Sequence, residues 1–346
     1  MKICMVVPQE DVKGGIASVV NGYRERGLGK EYELSFVESY RDGSKWQKLG
    51  KAIDGYVRFG WELLFHTPDI VHIHSSFGPS FYRKMPFIYM AKWKGIKLVN
   101  HIHGAEFGEF YINASEKKKK LIQKVYTKCD VLVVLSAEWK EKIGQIVSKS
   151  KIQIIENYCQ IPKLQTGVRK KQILFLGEIG ERKGCFDIPD IYKRIVDVVG
   201  NIPLIMAGDG EVECVKEMLK EKAVLENVSF PGWIRGETKE KLLQESSFFL
   251  FPSYNEGMPM AVLEAMAYGM GIVTSNVGGI PKLIDDGVSG YICTPGEIGD
   301  ISEKMIRLIL QEEHLKECGA NARKKAIEQY SFESHVEKLT KLYQGI

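Results

Sequence analysis

The sequence predicts an α/β protein of two doubly wound parallel sheets, and three observations predict it. Short apolar runs rich in β-branched residues recur along the chain almost without polar gaps, as strands do when both faces of a parallel sheet are covered. Amphipathic stretches of ten or more residues lie between most of them, so the chain reads as repeated βα units. A polar stretch, CQIPKLQTGVRKK (159–171), carries Pro162 and Gly167 and divides the series in two. With 346 residues there is material for two domains of ordinary size, each Rossmann-like, with a cleft between the carboxyl ends of the two sheets.

The first half opens on KICMVV and continues through DIVHIHSS, KLVNHIHG, DVLVVLS and IQIIEN. The second runs through QILFLGE, IPLIMAGDG, VSFPGW, SFFLFPSY, GIVTSN and GYICT. From about Ile301 the pattern is two helices without strands. Glycine-rich or polar stretches fall at the strand ends: Gly14–Gly15, His103–Gly104, Gly177 to Gly184, Gly208–Gly210, Ser253 to Gly257 and Gly278–Gly279. One such loop is weak evidence of a ligand site, whereas six at matching topological positions are much stronger.

Composition narrows the class. Hydrophobic residues make up 44% and charged residues 27%, which is the balance of a soluble globular chain. No run reaches the roughly 18 apolar residues of a membrane span. The apolar part of MKICMVVPQED is too short for a signal peptide and reads as a strand. The 7 cysteines are scattered without a C-x-x-C pair, as expected of buried thiols in a reducing, cytoplasmic compartment. Residues 1–160 hold 25 Lys and Arg against 17 Asp and Glu, whereas the rest of the chain is mildly acidic. Any anionic surface or partner should therefore meet the first half.

The stretch EGMPMAVLEAMAYG (256–269) asks for a particular explanation. Pro259 suits a first helical position, the following residues are apolar nearly all round, and Gly269 closes the run, so this is a buried helix. It nevertheless carries Glu264, and Glu256 precedes it. The helix follows a strand, so its N-terminal N–H groups, near Gly257, Met258 and Met260, form an anion site suited to phosphate. Eight residues separate the glutamates, about 12 Å along a helix. That is the span from a sugar across a diphosphate to a ribose. A carboxylate accepting from two vicinal hydroxyls justifies burial better than a lone charge does, although a structural ion pair is the ordinary explanation of a single glutamate in such a helix.

With these residues in view, the chain resembles the retaining glycosyltransferases of the GT-B fold, family four, whose E-x7-E motif EGMPMAVLEAMAYG matches. GGIASVV, HIHGAEF, VVLSAEWKEKI, IIENYCQIP, LGEIGERKG, MAGDGE, VSFPGW and SNVGGIPKLIDDGVSGYI match further family stretches, so the likeness covers nearly the whole chain. It implies an acceptor domain over 1–160, a nucleotide-sugar donor domain over 165–325, and a helix over 326–346 that packs back on the first domain. It implies a hexosyl transfer from a UDP or GDP sugar to a glycan or lipid-linked acceptor in bacterial surface polysaccharide synthesis, with no cofactor and no metal. Glu264 would bind the donor ribose, Glu256 the transferred sugar, and Lys183 the diphosphate. His103 would hold the donor sugar, and Gly14 and Gly15 would let the first loop approach the phosphate or the acceptor. The leaving phosphate would deprotonate the acceptor on the same face, so no side chain need be a nucleophile, unlike the carboxylate pair of a retaining hydrolase.

Two positions depart from the family. Glu178 stands where an arginine usually pairs with the diphosphate, so it must turn away or serve another purpose, and Arg182 is either the substitute or a solvated loop charge. Lys282 stands where a glutamate is common. A same-fold nucleotide-sugar epimerase and a non-catalytic sugar-nucleotide binder are the alternatives.

Other constellations weigh less. His72 and His74, and His101 and His103, each share a strand face. Without a carboxylate or thiol at ligand spacing they read as strand-end imidazoles rather than a metal site. No Asp-x-Asp occurs, and no G-x-G-x-x-G follows the first strand, which disfavours a magnesium-bridged donor and a dinucleotide oxidoreductase. SEKKKKLIQKVYTKC (115–129) reads as an amphipathic helix with Lys117, Lys120, Lys124 and Lys128 on one face. With Lys45, Lys48, Lys51, Arg83 and Lys84, and with Phe77, Phe81 and Tyr82 in a nearby loop, it is expected to favour an anionic membrane surface over nucleic acid.

Overall fold

The computed structural model describes residues 1–164 and 169–346, so residues 165–168 of the expected linker lie outside the described residues. The chain forms two compact units, Met1–Asn157 with Phe332–Ile346, and Tyr158–Ser331.

Unit 1 alternates β1 (Lys2–Val7), α1 (Gly15–Arg26), β2 (Glu33–Glu38), α2 (Lys45–Trp61), β3 (Ile70–Ser75), α3 (Pro79–Trp93), β4 (Lys97–Ile102), α4 (Glu116–Thr127), β5 (Val131–Val134), α5 (Ala137–Gly144) and β6 (Ile152–Ile154). The six strands form one sheet in the order β2-β1-β3-β4-β5-β6, and every pair is parallel. β2 escapes the sequence reading because ELSFVE is an edge strand with only Val37 fully buried. On one face Val71 and Ile73 of β3 join a core with Phe59, Phe81, Phe87, Ile122 and Trp139. The other face carries the imidazoles of β3 and β4.

Unit 2 runs β7 (Lys170–Leu176), α6 (Ile188–Val199), β8 (Leu204–Ala207), α7 (Val212–Glu221), β9 (Val228–Ser229), α8 (Gly236–Glu245), β10 (Ser246–Phe251), α9 (Met260–Tyr268), β11 (Gly271–Ser275), α10 (Ile280–Leu283), β12 (Tyr291–Cys293), α11 (Ile298–Leu310) and α12 (Glu312–Gln329). Its parallel sheet has the order β12-β11-β10-β7-β8-β9, which reverses direction between β7 and β10. α13 (Phe332–Gln344) then belongs to unit 1. The C-terminal stretch is thus three helices, not two, and residues 326–331 belong to unit 2.

Several surface expectations are corrected. Residues 79–93 are helix, and Phe77 and Phe81 are core side chains, so they cannot meet a lipid or sugar; Tyr82 is exposed. Lys84 is buried as well, its Nζ donating to the Val6 carbonyl at 2.9 Å and to Ser39 Oγ at 2.6 Å. It ties α3 to the ends of β1 and β2 and is no surface charge. Of the seven free cysteines Cys214 is exposed and the others are buried.

Candidate active site

In open α/β sheets ligands bind beyond the strand ends where the order reverses. In unit 2 that point lies between β7 and β10. The loop after β7 carries Glu178, Arg182 and Lys183; the loop after β10 carries Ser253 and Glu256 and leads into α9. Of these, Glu178, Arg182, Lys183 and Glu256 are residues the sequence singles out.

Glu256 is buried and takes a hydrogen bond from Lys183 Nζ at 2.5 Å and one from Ser253 Oγ at 2.7 Å. Arg182 approaches the same carboxylate oxygen at 3.7 Å and donates to the Asn255 carbonyl at 3.2 Å. Lys183 Nζ also lies 4.8 Å from the centre of the Phe251 ring, whose face attracts a cation. A buried carboxylate is thus matched by two cations, as burial requires. Two glycines let the loops approach this closely. Gly184 has φ +69°, and a Cβ there would lie 2.0 Å from the Pro252 carbonyl oxygen. Gly278 has φ +57°, and its Cβ would lie 1.9 Å from the Glu256 carbonyl oxygen. No other residue fits either position without moving the loop it touches.

Glu178 is exposed, and its carboxylate accepts from Arg182 at 3.3 Å.

α9 starts one residue later than expected, with Pro259 as its cap and Met260 as its first helical residue. Gly257 and Met258 are buried just before it. Its last carbonyls are held by two arginines: Arg169 bonds Tyr268 and Gly269, and Arg323 bonds Ala267. Cations at that end complement the helix dipole whose positive end faces the switch point. Glu264 is partly buried and pairs with Lys239 Nζ at 2.6 Å. Sequence reasoning missed Lys239 and Ser253, because a lysine in a charged helix and a serine after a strand carry no signal of their own.

Gly14, Gly15 and His103 lie in unit 1. Gly14 caps α1 at φ +126° with open space around it, and Gly15 begins the helix. His103 follows β4, and its Nε2 lies 3.0 Å from His74 Nδ1. It belongs to a layer of five imidazoles, with His72, His74 and His101 of the sheet and His335 of α13, against which Tyr23 of α1 and Tyr343 of α13 pack. Tyr343 OH meets His72 Nδ1 at 2.5 Å. The His335 Nδ1 meets the Glu156 carbonyl at 2.7 Å, so it donates, and the neutral ring then accepts from Tyr23 OH at 2.5 Å through Nε2. Burial pushes His72 and His103 down to about 3 and His335 to about 4, and holds His74 and His101 well below the ordinary range. The layer is neutral. His72, His74 and His101 are the one three-ligand grouping among the described residues, with ligand atoms within 4.8 Å of one another. It offers an ion three buried imidazoles, with no carboxylate or thiolate in the grouping to offset the charge.

Known proteins resemble both halves of the chain. The family described as glycosyl transferases group 1 matches residues 160–325, and Glycosyltransferase Family 4 matches residues 29–159. An N-acetyl-alpha-D-glucosaminyl L-malate synthase of Bacillus anthracis is 25% identical over 80% of this chain and 75% of its own. An amylovoran biosynthesis glycosyltransferase of Erwinia amylovora is 24% identical over 69% of this chain and 61% of its own. The structure of Anabaena HepE in complex with UDP-glucose superposes with a TM-score of 0.78 at 15% identity, covering 100% of both chains.

Proposed function

The chain belongs to the group 1 glycosyltransferases of the GT-B fold, and we propose that it transfers a hexosyl group from a nucleotide diphosphate sugar, with retention, to a glycan or lipid-linked sugar in surface polysaccharide synthesis. The observation that carries this reading is the convergence of Lys183 and Arg182 on Glu256 at the switch point, beside the N-terminus of α9.

Without ligand, Glu256 holds the charge of Lys183. A diphosphate at the α9 N-terminus takes over the lysine and Arg182, and Glu256 is released to accept from the hydroxyls of the transferred sugar. Glu264 exchanges Lys239 for the ribose hydroxyls. As the bond from the anomeric carbon to the phosphate oxygen breaks, Lys183 and Arg182 stabilise the charge gathering on the leaving diphosphate. The acceptor oxygen bonds to the anomeric carbon on the face the phosphate leaves, and its proton passes to a phosphate oxygen. His103, neutral, donates to or accepts from a sugar hydroxyl. Gly14 and Gly15 leave room for the phosphate or the acceptor. Two side-chain cations and a helix terminus do the work a metal does elsewhere. HepE was solved with UDP-glucose, and the Erwinia relative is named for amylovoran biosynthesis; the first supports the donor class and the second a biosynthetic transfer. The site of action in this reading is the cytoplasmic face of an anionic membrane.

Calorimetric titration of UDP, GDP and ADP, with and without EDTA, into the native protein and Glu264→Ala tests the reading. One diphosphate should bind without metal and bind at least tenfold more weakly to the variant. Failure of all three to bind would overturn it.

A further inference from the structure

α2 has its apolar face on the wrong side for a helix in water. Its inner face, Ala52, Gly55 and Phe59, is buried against the sheet, and Gly55 packs so closely that a Cβ would lie 2.7 Å from the Glu38 carbonyl oxygen. The outer face of such a helix is ordinarily charged. Here Trp46, Leu49, Ile53 and Val57 recur at helical spacing along it and are all exposed, Trp46 at 82%. The helix continues through a wider turn at Glu62–His66, and Trp61, Leu64 and Phe65 extend the stripe. At the helical rise, residues 46–65 span roughly 28 Å. α3 runs alongside, a Cβ at Gly60 lying 3.7 Å from Met90 Cε were it present, and Trp93, one turn further on, is again 82% exposed.

The charges beside the stripe that lack an opposite partner among the described residues are cationic. The acids near it are engaged with neighbours, Asp54 with Arg58 and Lys51, and Glu62 with Ser35 and His66. Lys45 at one end and Lys94 beside Trp93 have no carboxylate partner among the described residues. No helix among the described residues is long and apolar enough to cross a membrane. Tryptophan and aliphatic residues on one face, with lysines at its ends and no free acid, is the pattern of a helix that lies in the headgroup layer of an anionic bilayer.

We propose that the exposed stripe of α2, with Trp93, is the surface on which this protein docks to anionic phospholipid, so that the apolar face and not the lysine face of α4 is the principal contact. This rests on the reading that the enzyme works at a membrane. It moves the contact from where the charge pattern alone would put it: Lys117, Lys120 and Lys124 are exposed as expected but lie on a helix whose apolar residues Ile122, Val125 and Tyr126 are buried in the core.

The test is flotation of the full chain with vesicles of equal phosphatidylglycerol and phosphatidylethanolamine, and with phosphatidylcholine alone. Two variants are compared, Trp46→Ser/Ile53→Ser/Trp61→Ser and Lys117→Glu/Lys120→Glu/Lys124→Glu. The native protein should float with the anionic vesicles alone, and the serine variant should partition at least tenfold less while binding UDP or GDP as the native protein does. Loss in the α4 variant with none in the serine variant would keep the membrane reading and overturn the assignment to α2. Native protein left in solution would overturn both. A native dimer in sedimentation that the serine variant abolishes, without vesicle binding, would make the stripe an interface between copies and overturn the proposal. Nucleotide titration on the same samples reports separately on the transferase reading.

Discussion

Glu178 and Arg182 show how one changed charge is absorbed. A carboxylate next to a diphosphate repels it, but this one is exposed and its partner is the guanidinium four residues on. Exposed pairs of this kind contribute at most about 1 kcal/mol, so in the proposed reading a diphosphate carrying two charges would outcompete Glu178 for Arg182. Arg182→Ala should therefore weaken binding of the preferred nucleotide diphosphate by about tenfold, the order of one charge-assisted hydrogen bond. Glu178→Ala should leave affinity unchanged or tighten it by up to about threefold, because it removes only a weak competitor. Both are read by calorimetry at one ionic strength. A large loss of affinity in Glu178→Ala would mean that the glutamate itself touches the ligand, and the substitution of arginine by Arg182 would be wrong. For Lys282 the structure offers no functional account; its carbonyl accepts from Tyr330 OH, and its side chain is exposed.

At the scale of elements, α9 owes its position to what surrounds it more than to its own sequence. Its apolar residues bury it, two arginines hold its last carbonyls, and the loop at Gly278 presses against the Glu256 carbonyl before it starts. The glutamates and the buried helix were legible because an apolar run with a proline at its head is a local pattern. The ion pair of Glu264 with Lys239, which joins two helices, was not, since nothing in either helix marks the other as its partner. Gly278→Ala separates backbone strain from the close approach. Its left-handed φ alone costs about 1 kcal/mol for a residue with a Cβ, and the overlap with the Glu256 loop brings the loss to about 3 kcal/mol. Gly287→Ala, at φ +73° with open space, carries the strain alone. Urea melts should place the first variant well below the second, and nucleotide affinity should fall only in the first. Equal effects would show that Gly278 is a turn residue and nothing more.

At the scale of the whole molecule, the two sheets differ in strand order but share the feature that sets a site, a reversal with glycine loops on both sides. Alternating runs made the two-unit plan legible, while the edge strand β2 and the boundary at Phe332 were not, because neither interrupts the local hydrophobic pattern. The units also differ in what their sheets bury. Unit 1 buries a layer of neutral imidazoles, and unit 2 buries no histidine among its described residues. The charged groups that act on the layer are Lys84 on His74 and Lys338 on His335, and both disfavour a proton on the ring. The sign follows from linkage: a histidine whose folded value lies below its unfolded value of 6.5 takes up its proton on unfolding, so its contribution is complete above that value and is lost as the pH falls. The window runs from about 6.5 down to the folded values of about 4 for His335 and about 3 for His72 and His103. Each histidine that behaves this way removes about 2 kcal/mol between pH 7.5 and pH 5. Lys84, held well below its ordinary value by burial, acts in the same direction. Hydrogen exchange corrected for intrinsic rates should therefore show β3 and β4 losing protection over this interval while β7 and β10 keep theirs. Replacing His72 with Phe, which keeps a buried ring and removes the titration, should reduce the difference by one histidine's share. Equal loss of protection in the two sheets would mean that acid acts on surface carboxylates, and the imidazole layer would be no part of the response.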